Sequence, residues 1–317
     1  MKVLISDKMA EEAIQVLKDA GHEITYEEYD ADTLLKEISK FDALMVRSRT
    51  KATKEIVEAG AKGNLKVIGR AGIGVDNIDI QTAGKLGIPV VNSPTGATAS
   101  VAELAIGHML ALSRHISRAD KTMKKGEWAK KKLKGVELGG KTLGLIGTGN
   151  IGKHAAKLAQ CFGMNVIGYD PFISKEDMAK DNIGKVEEIS DIMEKSDYIS
   201  LHIPHIDATH HIVNKEMISK MKPSAYIINC ARGGTVDEKA LHDALKEGKI
   251  AGAALDVFES EPPKENLFSE LDNVIMTPHI GANTKEGQIK AGTVCAAQIN
   301  KVLDREEPDH CVNKKFL

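Results

Sequence analysis

Three segments in the second half of the chain carry side chains that suit proton and hydride transfer at a small hydroxy acid. They contain Arg232, Glu261 and His279. Oxidation of a 2-hydroxy acid needs a base for the hydroxyl proton, a cation for the carboxylate, and a group that orients the base. Histidine titrates near neutral pH, arginine grips a carboxylate through two hydrogen bonds, and a carboxylate fixes an imidazole. The three residue types together predict such a site, although each residue alone is equally compatible with a loop or surface role.

A glycine-rich turn near the middle of the chain indicates a dinucleotide site. The motif GTGNIG at residues 147–152 follows an apolar stretch and opens a predicted helix, and Asp170 ends the next predicted strand. Gly147 would permit the tight turn, Gly149 would let the backbone approach a pyrophosphate, and Gly152 would let helix and strand pack closely. Asp170 would accept hydrogen bonds from the ribose hydroxyls and repel a 2′-phosphate. The motif therefore predicts NAD as the cofactor in preference to NADP.

The elements that must position these residues alternate between strand and helix. Such alternation predicts parallel sheets covered on both faces, in two α/β blocks. The predicted strands cover residues 3–6, 43–46, 66–69 and 88–91, then 142–146, 165–169, 198–201, 225–229, 250–255 and 274–276. The predicted helices cover residues 9–20, 100–125, 151–162 and 284–303. We expect Ser100 and Glu103 to form a capping box at the start of the second helix, and Gly126 to end that helix.

Composition excludes several classes of function. The chain has 317 residues, enough for two domains, with 42% hydrophobic and 28% charged residues and a net charge of −2. This balance gives no reason to expect nucleic acid or a membrane surface as a partner. The four cysteines are scattered, without the short spacings of a zinc site, so we expect no metal and four reduced thiols. With no signal peptide or membrane span in the sequence, we expect a cytoplasmic protein.

At these motifs the chain resembles the D-isomer-specific 2-hydroxyacid dehydrogenases over essentially its whole length. The motifs that carry the resemblance are GRAGIGVDN at residues 69–77, SVAE at 100–103, the glycine motif, and the segments 229–234, 255–263 and 277–282. The resemblance implies two doubly wound parallel-sheet domains, with a Rossmann NAD domain inserted into a flavodoxin-like substrate domain. The substrate domain would comprise residues 1–97 and 283–317, and the NAD domain residues 98–282. The long helix after Ser100 would bridge them.

The resemblance also implies roles for further residues. Asp256 would bind the nicotinamide carboxamide, and Gly72 and Ile73 would offer backbone N–H groups to the substrate carboxylate. The other positions that it assigns to the cofactor are Asn150, Ile151, Ile203, Cys230, Ala231, Gly281 and Ala282. It implies a homodimer, or a tetramer built from dimers. The trio Arg232, Glu261 and His279 becomes the catalytic set.

Within the family, the chain is most similar to members that oxidise D-3-phosphoglycerate in serine biosynthesis. Arg47 and Ser48, Arg70, and the segment 126–138 carry this similarity. Arg47 and Arg70 are cations near a small-acid site and suit a substrate phosphate. The lysine run at 130–134 is either a solvated basic face or a second phosphate contact, reached across a dimer. Because the sequence ends at Leu317, we expect no inhibition by serine through the regulatory domains of longer forms.

Three alternatives remain open from the sequence. A glyoxylate or hydroxypyruvate reductase of the same fold would share the trio but have no use for Arg47 and Arg70 as phosphate ligands. An NAD-sensing adaptor of the corepressor type would also carry a similar trio, but the chain has no disordered tails for recruiting partners. A nucleic-acid binder that uses the lysine run is disfavoured by the near-neutral charge and by an aromatic content of only 4%.

Overall fold

The chain divides into two compact units. The computed structural model describes residues 1–265 and 267–317. One unit, here called the discontinuous unit, comprises Met1–Thr98 and Ala282–Leu317, and the inserted unit comprises Ala99–Gly281. The units meet at residues 98/99 and 281/282, and the domain assignment expected from the sequence, with boundaries at 97/98 and 282/283, stays a prediction.

The two units contain twelve strands and twelve helices among the described residues. The strands are β1 (Lys2–Ile5), β2 (Glu23–Tyr26), β3 (Ala43–Val46), β4 (Val67–Arg70), β5 (Val90–Asn92), β6 (Thr142–Ile146), β7 (Asn165–Tyr169), β8 (Gly184–Lys185), β9 (Tyr198–Leu201), β10 (Tyr226–Asn229), β11 (Gly252–Leu255) and β12 (Val274–Met276). The helices are α1 (Glu11–Asp19), α2 (Ala31–Glu37), α3 (Lys54–Ala61), α4 (Ile80–Lys85), α5 (Thr98–Ser113), α6 (Ile116–Lys124), α7 (Asn150–Cys161), α8 (Lys175–Lys180), α9 (Ile189–Lys195), α10 (Lys215–Ser219), α11 (Glu238–Lys246) and α12 (Lys285–Leu303).

Each unit is built on one parallel sheet. The discontinuous unit has the strand order β2-β1-β3-β4-β5, the flavodoxin-like order, and the inserted unit has β12-β11-β10-β9-β6-β7-β8, the Rossmann order extended by a seventh strand. All strand pairs are parallel. Central strands such as β3 and β9 are buried at every residue, because helices cover both faces of the sheet. The predicted fold class is confirmed.

The C-terminal segment completes the discontinuous unit through buried hydrogen bonds. The fully buried Asn313 donates to the carbonyl of Ile88 (2.9 Å) and accepts from the N–H of Val90 (2.8 Å). Helix α12 packs against α1, where a Cβ on Gly292 would lie only 2.7 Å from the Cβ of Ala13. A chain that leaves this unit near residue 98 therefore returns to it after residue 281.

Two expectations about the long helix are wrong. The helix already begins at Thr98, so Ser100 lies inside its first turn and is not the cap of a box with Glu103. Helical structure does reach Lys124, followed by Gly126 with φ 76°, but it is not one continuous helix, because His115 adopts a left-handed φ of 54° and separates α5 from α6. The surroundings change at the same point: nine residues of α5 are buried, and none of α6 is.

Candidate active site

The glycine turn between β6 and α7 gives each glycine a different steric environment. Gly147 has φ +92°, and a Cβ there would lie 2.7 Å from the carbonyl oxygen of His202. A Cβ on Gly152 would lie 2.3 Å from the carbonyl oxygen of Gly147, so helix and strand pack too closely for a side chain. At Gly149 a Cβ would meet nothing within 4 Å. Packing therefore explains the first and last glycines, and the middle one faces open space at the start of α7, as a phosphate site requires.

Asp170 lies beside this turn at the end of β7. Its Oδ2 accepts a hydrogen bond from the N–H of Thr148 (2.9 Å), and its Oδ1 accepts from the N–H of Phe172 (3.0 Å). The carboxylate is thus held at the carboxyl edge of the sheet, next to the start of α7. Asn150 and Ile151 form the first turn of that helix, and Ile203 follows β9 on the other side of the turn. In an open α/β sheet this crevice, where the strand order reverses, is where ligands bind.

His279 and Glu261 form a hydrogen-bonded pair in the inserted unit. His279 Nδ1 lies 2.7 Å from Glu261 Oε2, and the N–H of Phe258 donates to Glu261 Oε1 (3.1 Å). With Nδ1 donating to the carboxylate, Nε2 is left with a lone pair that can accept a proton. The backbone of His279 is left-handed, with φ 50°, and its N–H donates to the carbonyl of Asp256 (2.8 Å). The predicted base and its orienting carboxylate are therefore in direct contact.

Electrostatics keep Glu261 ionised. Burial alone would raise the pKa of Glu261, but the hydrogen bond from His279, with the charges of His279 and Arg232, outweighs burial and leaves that pKa below its ordinary value. Arg232 follows β10, and its Nη1 donates to the carbonyl of Ala231 (2.7 Å). Arg232 is thus close enough to Glu261 to act on its charge, and the three predicted catalytic residues form one electrostatic group.

Asp256 anchors the loop that carries His279. It is 1% exposed, its Oδ1 accepts from Thr277 Oγ1 (2.5 Å) and the N–H of Ile280 (2.9 Å), and its Oδ2 accepts from the N–H of Gly281 (2.8 Å). His108 of α5 contacts the same Thr277 hydroxyl (3.2 Å), and burial lowers the pKa of His108, which favours its neutral form. The nicotinamide role of Asp256 stays a prediction. Its observed contacts fix the position of the loop.

Cys230 and Ala231 follow β10, next to Arg232. Burial and the nearby Asp256 carboxylate raise the pKa of the Cys230 thiol far above its ordinary value. The thiol therefore stays protonated and is not a nucleophile at neutral pH. The N–H of Ala231 donates to Asn229 Oδ1 (3.0 Å), which shapes the turn. The cofactor contacts that the resemblance assigns to Cys230 and Ala231 stay a prediction.

The predicted substrate residues lie at the carboxyl edge of the other sheet. Arg47 and Ser48 follow β3, Arg70 ends the adjacent strand β4, and Gly72 and Ile73 follow it. The N–H of Gly72 donates to the carbonyl of Arg70 (2.8 Å), so a substrate carboxylate would have to compete with that oxygen. Ala282 also belongs to this discontinuous unit, whereas Gly281 belongs to the inserted one.

Sequence reasoning missed several residues that support these loops. Asp7 and Asn77 bind the loop that contains Arg47, and His108 and Thr277 contact the anchor of the His279 loop. Asp7 gave one usable signal, since an acid directly after a buried parallel strand lies at the ligand-binding edge. Among the described residues, no group of three or more His, Cys, Asp or Glu is placed to hold a metal ion, and no helix is long and apolar enough to cross a membrane.

Comparison with known proteins places these residues in a family context. Residues 106–281 match the family model of the D-isomer specific 2-hydroxyacid dehydrogenase NAD-binding domain. The chain is 50% identical over 313 residues to a D-3-phosphoglycerate dehydrogenase of Methanocaldococcus jannaschii, a match that covers 99% of this chain and 59% of that protein. It is 48% identical over 306 residues to a hydroxypyruvate reductase of Thermotoga maritima, covering 95% and 98%. A solved glyoxylate reductase from Paecilomyes thermophila superposes with a TM-score of 0.89 at 27% identity, with 99% of each chain covered. The chain thus spans little more than half the length of the phosphoglycerate dehydrogenase it resembles.

Proposed function

Because the chain belongs to the D-isomer specific 2-hydroxyacid dehydrogenase family, we propose that it oxidises D-3-phosphoglycerate to 3-phosphohydroxypyruvate with NAD, in a reversible reaction. The observation that carries the proposal is the 2.7 Å contact between His279 and Glu261, on a loop anchored by Asp256. The choice of substrate is supported by Arg47 and Arg70 at one sheet edge and by the 50% identity to a phosphoglycerate dehydrogenase.

The inserted unit has the features that NAD requires. The open space at Gly149 accommodates a pyrophosphate, the start of α7 stabilises its charge, and Asp170 suits ribose hydroxyls. The remainder of the cofactor is assigned to three further segments, which contain Ile203, then Cys230 and Ala231, and then Asp256 and Gly281. When bound, NAD supplies a nicotinamide ring that accepts a hydride from C2 of the substrate.

The chain's own residues would then handle the proton and the substrate charges. His279 Nε2 takes the C2 hydroxyl proton during oxidation and returns it during reduction. Glu261, ionised and hydrogen-bonded to Nδ1, holds the ring in this tautomer and stabilises the imidazolium. Arg232 binds and orients the substrate carboxylate.

The substrate proposal is tested by comparing phosphorylated and unphosphorylated hydroxy acids. We expect NADH to form with D-3-phosphoglycerate at a kcat/KM about 100-fold or more above that with D-glycerate, because charge-assisted hydrogen bonds from two arginines would be lost. The measurement is NADH absorbance with purified protein. Reduction of hydroxypyruvate or glyoxylate by NADH, without activity on phosphoglycerate, would favour the second candidate, which the identity to a full-length hydroxypyruvate reductase supports.

We also propose that the protein is a cytoplasmic homodimer. Helix α6 has no buried residue, and the exposed apolar side chains on it and just after it include Met123 (56% exposed) and Trp128 (78% exposed). Beside them lies a cavity of about 400 Å³ lined by Arg118, Lys121 and Trp128 among others. A second copy that covers this surface would remove the apolar area from water.

Replacing Trp128 with glutamate should therefore shift the protein towards monomer. The dimer would bury this exposed indole, so glutamate would place a charge in the interface. Light scattering coupled to size-exclusion chromatography measures the change in mass. Leu86→Glu, at an apolar side chain 45% exposed in the discontinuous unit, is the matched control and should leave the mass unchanged. Equal masses for wild type and Trp128→Glu would place the interface elsewhere.

A further inference from the structure

Two arginines of the loop after β3 have different surroundings. The Arg49 guanidinium is engaged at all three nitrogens: Nε with Asp7 (3.2 Å), Nη1 with the carbonyl of Tyr29 (3.2 Å), and Nη2 with the carbonyl of Ser6. The Arg47 guanidinium has one long hydrogen bond within the described part of the chain, from Nη1 to the carbonyl of Lys8 (3.3 Å). Arg49 thus holds the loop, and Arg47 retains most of its donors for a ligand.

A buried carboxylate holds this loop from one side. Asp7 follows β1 and is 2% exposed. It accepts hydrogen bonds from the backbone N–H of Arg47, from the N–H of Thr50 (3.1 Å) and from Thr50 Oγ1 (2.7 Å). A buried carboxylate needs hydrogen-bond donors, and water cannot replace the loop donors at Asp7. These hydrogen bonds therefore fix the conformation of the loop.

An asparagine holds the loop from the other side. Asn77 Nδ2 donates to the carbonyl of Arg47 (2.8 Å) and to the carbonyl of Thr50 (2.6 Å). Both backbone polar groups of Arg47 are therefore bound, the N–H by Asp7 and the carbonyl by Asn77. With the N–H and the carbonyl both held, the direction of the Cα–Cβ bond is fixed, and with it the region that the guanidinium can reach.

We infer that Asp7 and Asn77 are positioning residues that set the selectivity for a phosphorylated substrate. They fix the backbone from which Arg47 projects, while Arg49 is held by Asp7 and by backbone carbonyls. The inference rests on the proposed function, in which Arg47 binds the substrate phosphate. Arginine has many rotamers, and a flexible loop would spread its charge over many positions. A loop held by Asp7 and Asn77 restricts the positions that the Arg47 guanidinium can reach. Arg47 therefore loses less conformational entropy when it binds a phosphate.

Asp7→Asn tests this role because it exchanges an all-acceptor group for one that also presents donors to the loop N–H groups. We expect the KM for D-3-phosphoglycerate and the inhibition constant for inorganic phosphate to rise about tenfold or more. The KM for NAD and the kcat/KM for D-glycerate should change by less than about twofold, since neither ligand uses Arg47. Asn77→Ala should reproduce the pattern from the other side of the loop.

Asp42→Asn is the matched control. Like Asp7, Asp42 is a carboxylate of this unit that binds a backbone N–H, that of Lys2 (2.8 Å), and it also binds a cation, Lys66 (2.9 Å). Asp42 is half-buried and precedes β3, at the opposite edge of the sheet. Thermal melts of the variants compare their stabilities. Asp42→Asn should leave the ratio of the KM for D-3-phosphoglycerate to the KM for D-glycerate unchanged, even where it lowers the melting temperature.

The outcomes separate the inference from the proposed function. The wild-type protein and both variants, Asp7→Asn and Asn77→Ala, could prefer D-3-phosphoglycerate equally. That result would contradict the positioning role of Asp7 and Asn77 and would still agree with the proposed function. A wild-type protein with no preference for the phosphorylated substrate overturns both. A parallel loss of kcat/KM for both substrates would show that the two residues support the fold and not the selectivity.

Discussion

Replacing His279 with alanine is expected to lower kcat for hydroxy acid oxidation by about 100- to 10,000-fold, the usual contribution of a positioned general base. The imidazole is the group that accepts the hydroxyl proton, and its Nδ1 is already committed to Glu261. NAD affinity should be unchanged, because the glycine turn and Asp170 lie on other loops of the same sheet. Steady-state kinetics with saturating NAD measure the first effect, and a calorimetric NAD titration measures the second.

The control for this variant is His310→Ala, a histidine of the C-terminal segment in the discontinuous unit. It should keep kcat within about twofold, since His310 lies outside the loops assigned to the substrate and the cofactor. Equal activity in the His279→Ala and wild-type proteins would remove His279 from the mechanism. The family assignment would survive that result, since it rests on the whole sequence.

The role of Glu261 is visible in the pH profile of the same reaction. The pKa of Glu261 lies below its ordinary value, so its stabilising interaction is present above the unfolded pKa and is lost as the pH falls through the folded one. At neutral pH the Glu261 carboxylate is ionised and adds a negative charge beside the imidazole. In Glu261→Gln that charge is gone, so we expect a lower maximum and an acid limb for oxidation shifted to lower pH. An unshifted limb would mean that the carboxylate only orients the ring.

Much of the fold followed from continuous apolar runs in the sequence. Strands β3, β6, β7 and β9 have the predicted bounds, because a parallel strand covered on both faces must be apolar at nearly every residue. The edge strand β12 also has its predicted bounds, because all three of its residues are apolar. Two other edge strands were missed. β2 has no buried residue and β8 has only two residues, so neither carries the apolar run that indicates a strand. Their pairing depends on neighbours that the local sequence does not reveal.

The site divides in a similar way. The glycine turn and the three catalytic segments were visible because each follows an apolar strand, and strand ends collect at one edge of a parallel sheet. The roles of Asp7, Asn77 and Thr277 were not predicted. Asp7 and Asn77 bind backbone groups of another loop, Thr277 binds the Asp256 carboxylate, and such contacts have no characteristic spacing. The break at His115 was also missed, because nothing in the local pattern requires a left-handed residue there.

Gly149→Ala is expected to weaken NAD binding about 10- to 100-fold while leaving the fold intact. The backbone at Gly149 has φ −69°, which alanine adopts without strain, and its Cβ would meet nothing within 4 Å. The methyl group would instead enter the space through which a pyrophosphate approaches the N–H groups of α7. Hydrogen bonds to charged groups contribute about 1.5–3 kcal/mol each, and loss of one gives the stated range. The measurements are an NAD titration and a thermal melt.

Gly152→Ala provides the contrast that makes this result informative. Its Cβ would lie 2.3 Å from the carbonyl oxygen of Gly147, so helix α7 must shift from β6, at a cost of about 1–3 kcal/mol in the free energy of unfolding. Loss of NAD binding there would accompany a lower melting temperature. A Gly149→Ala protein that melts like the wild type and binds NAD poorly assigns the open space to the cofactor. If it binds NAD normally, the pyrophosphate does not approach the backbone at Gly149, and the turn needs that glycine for some other reason.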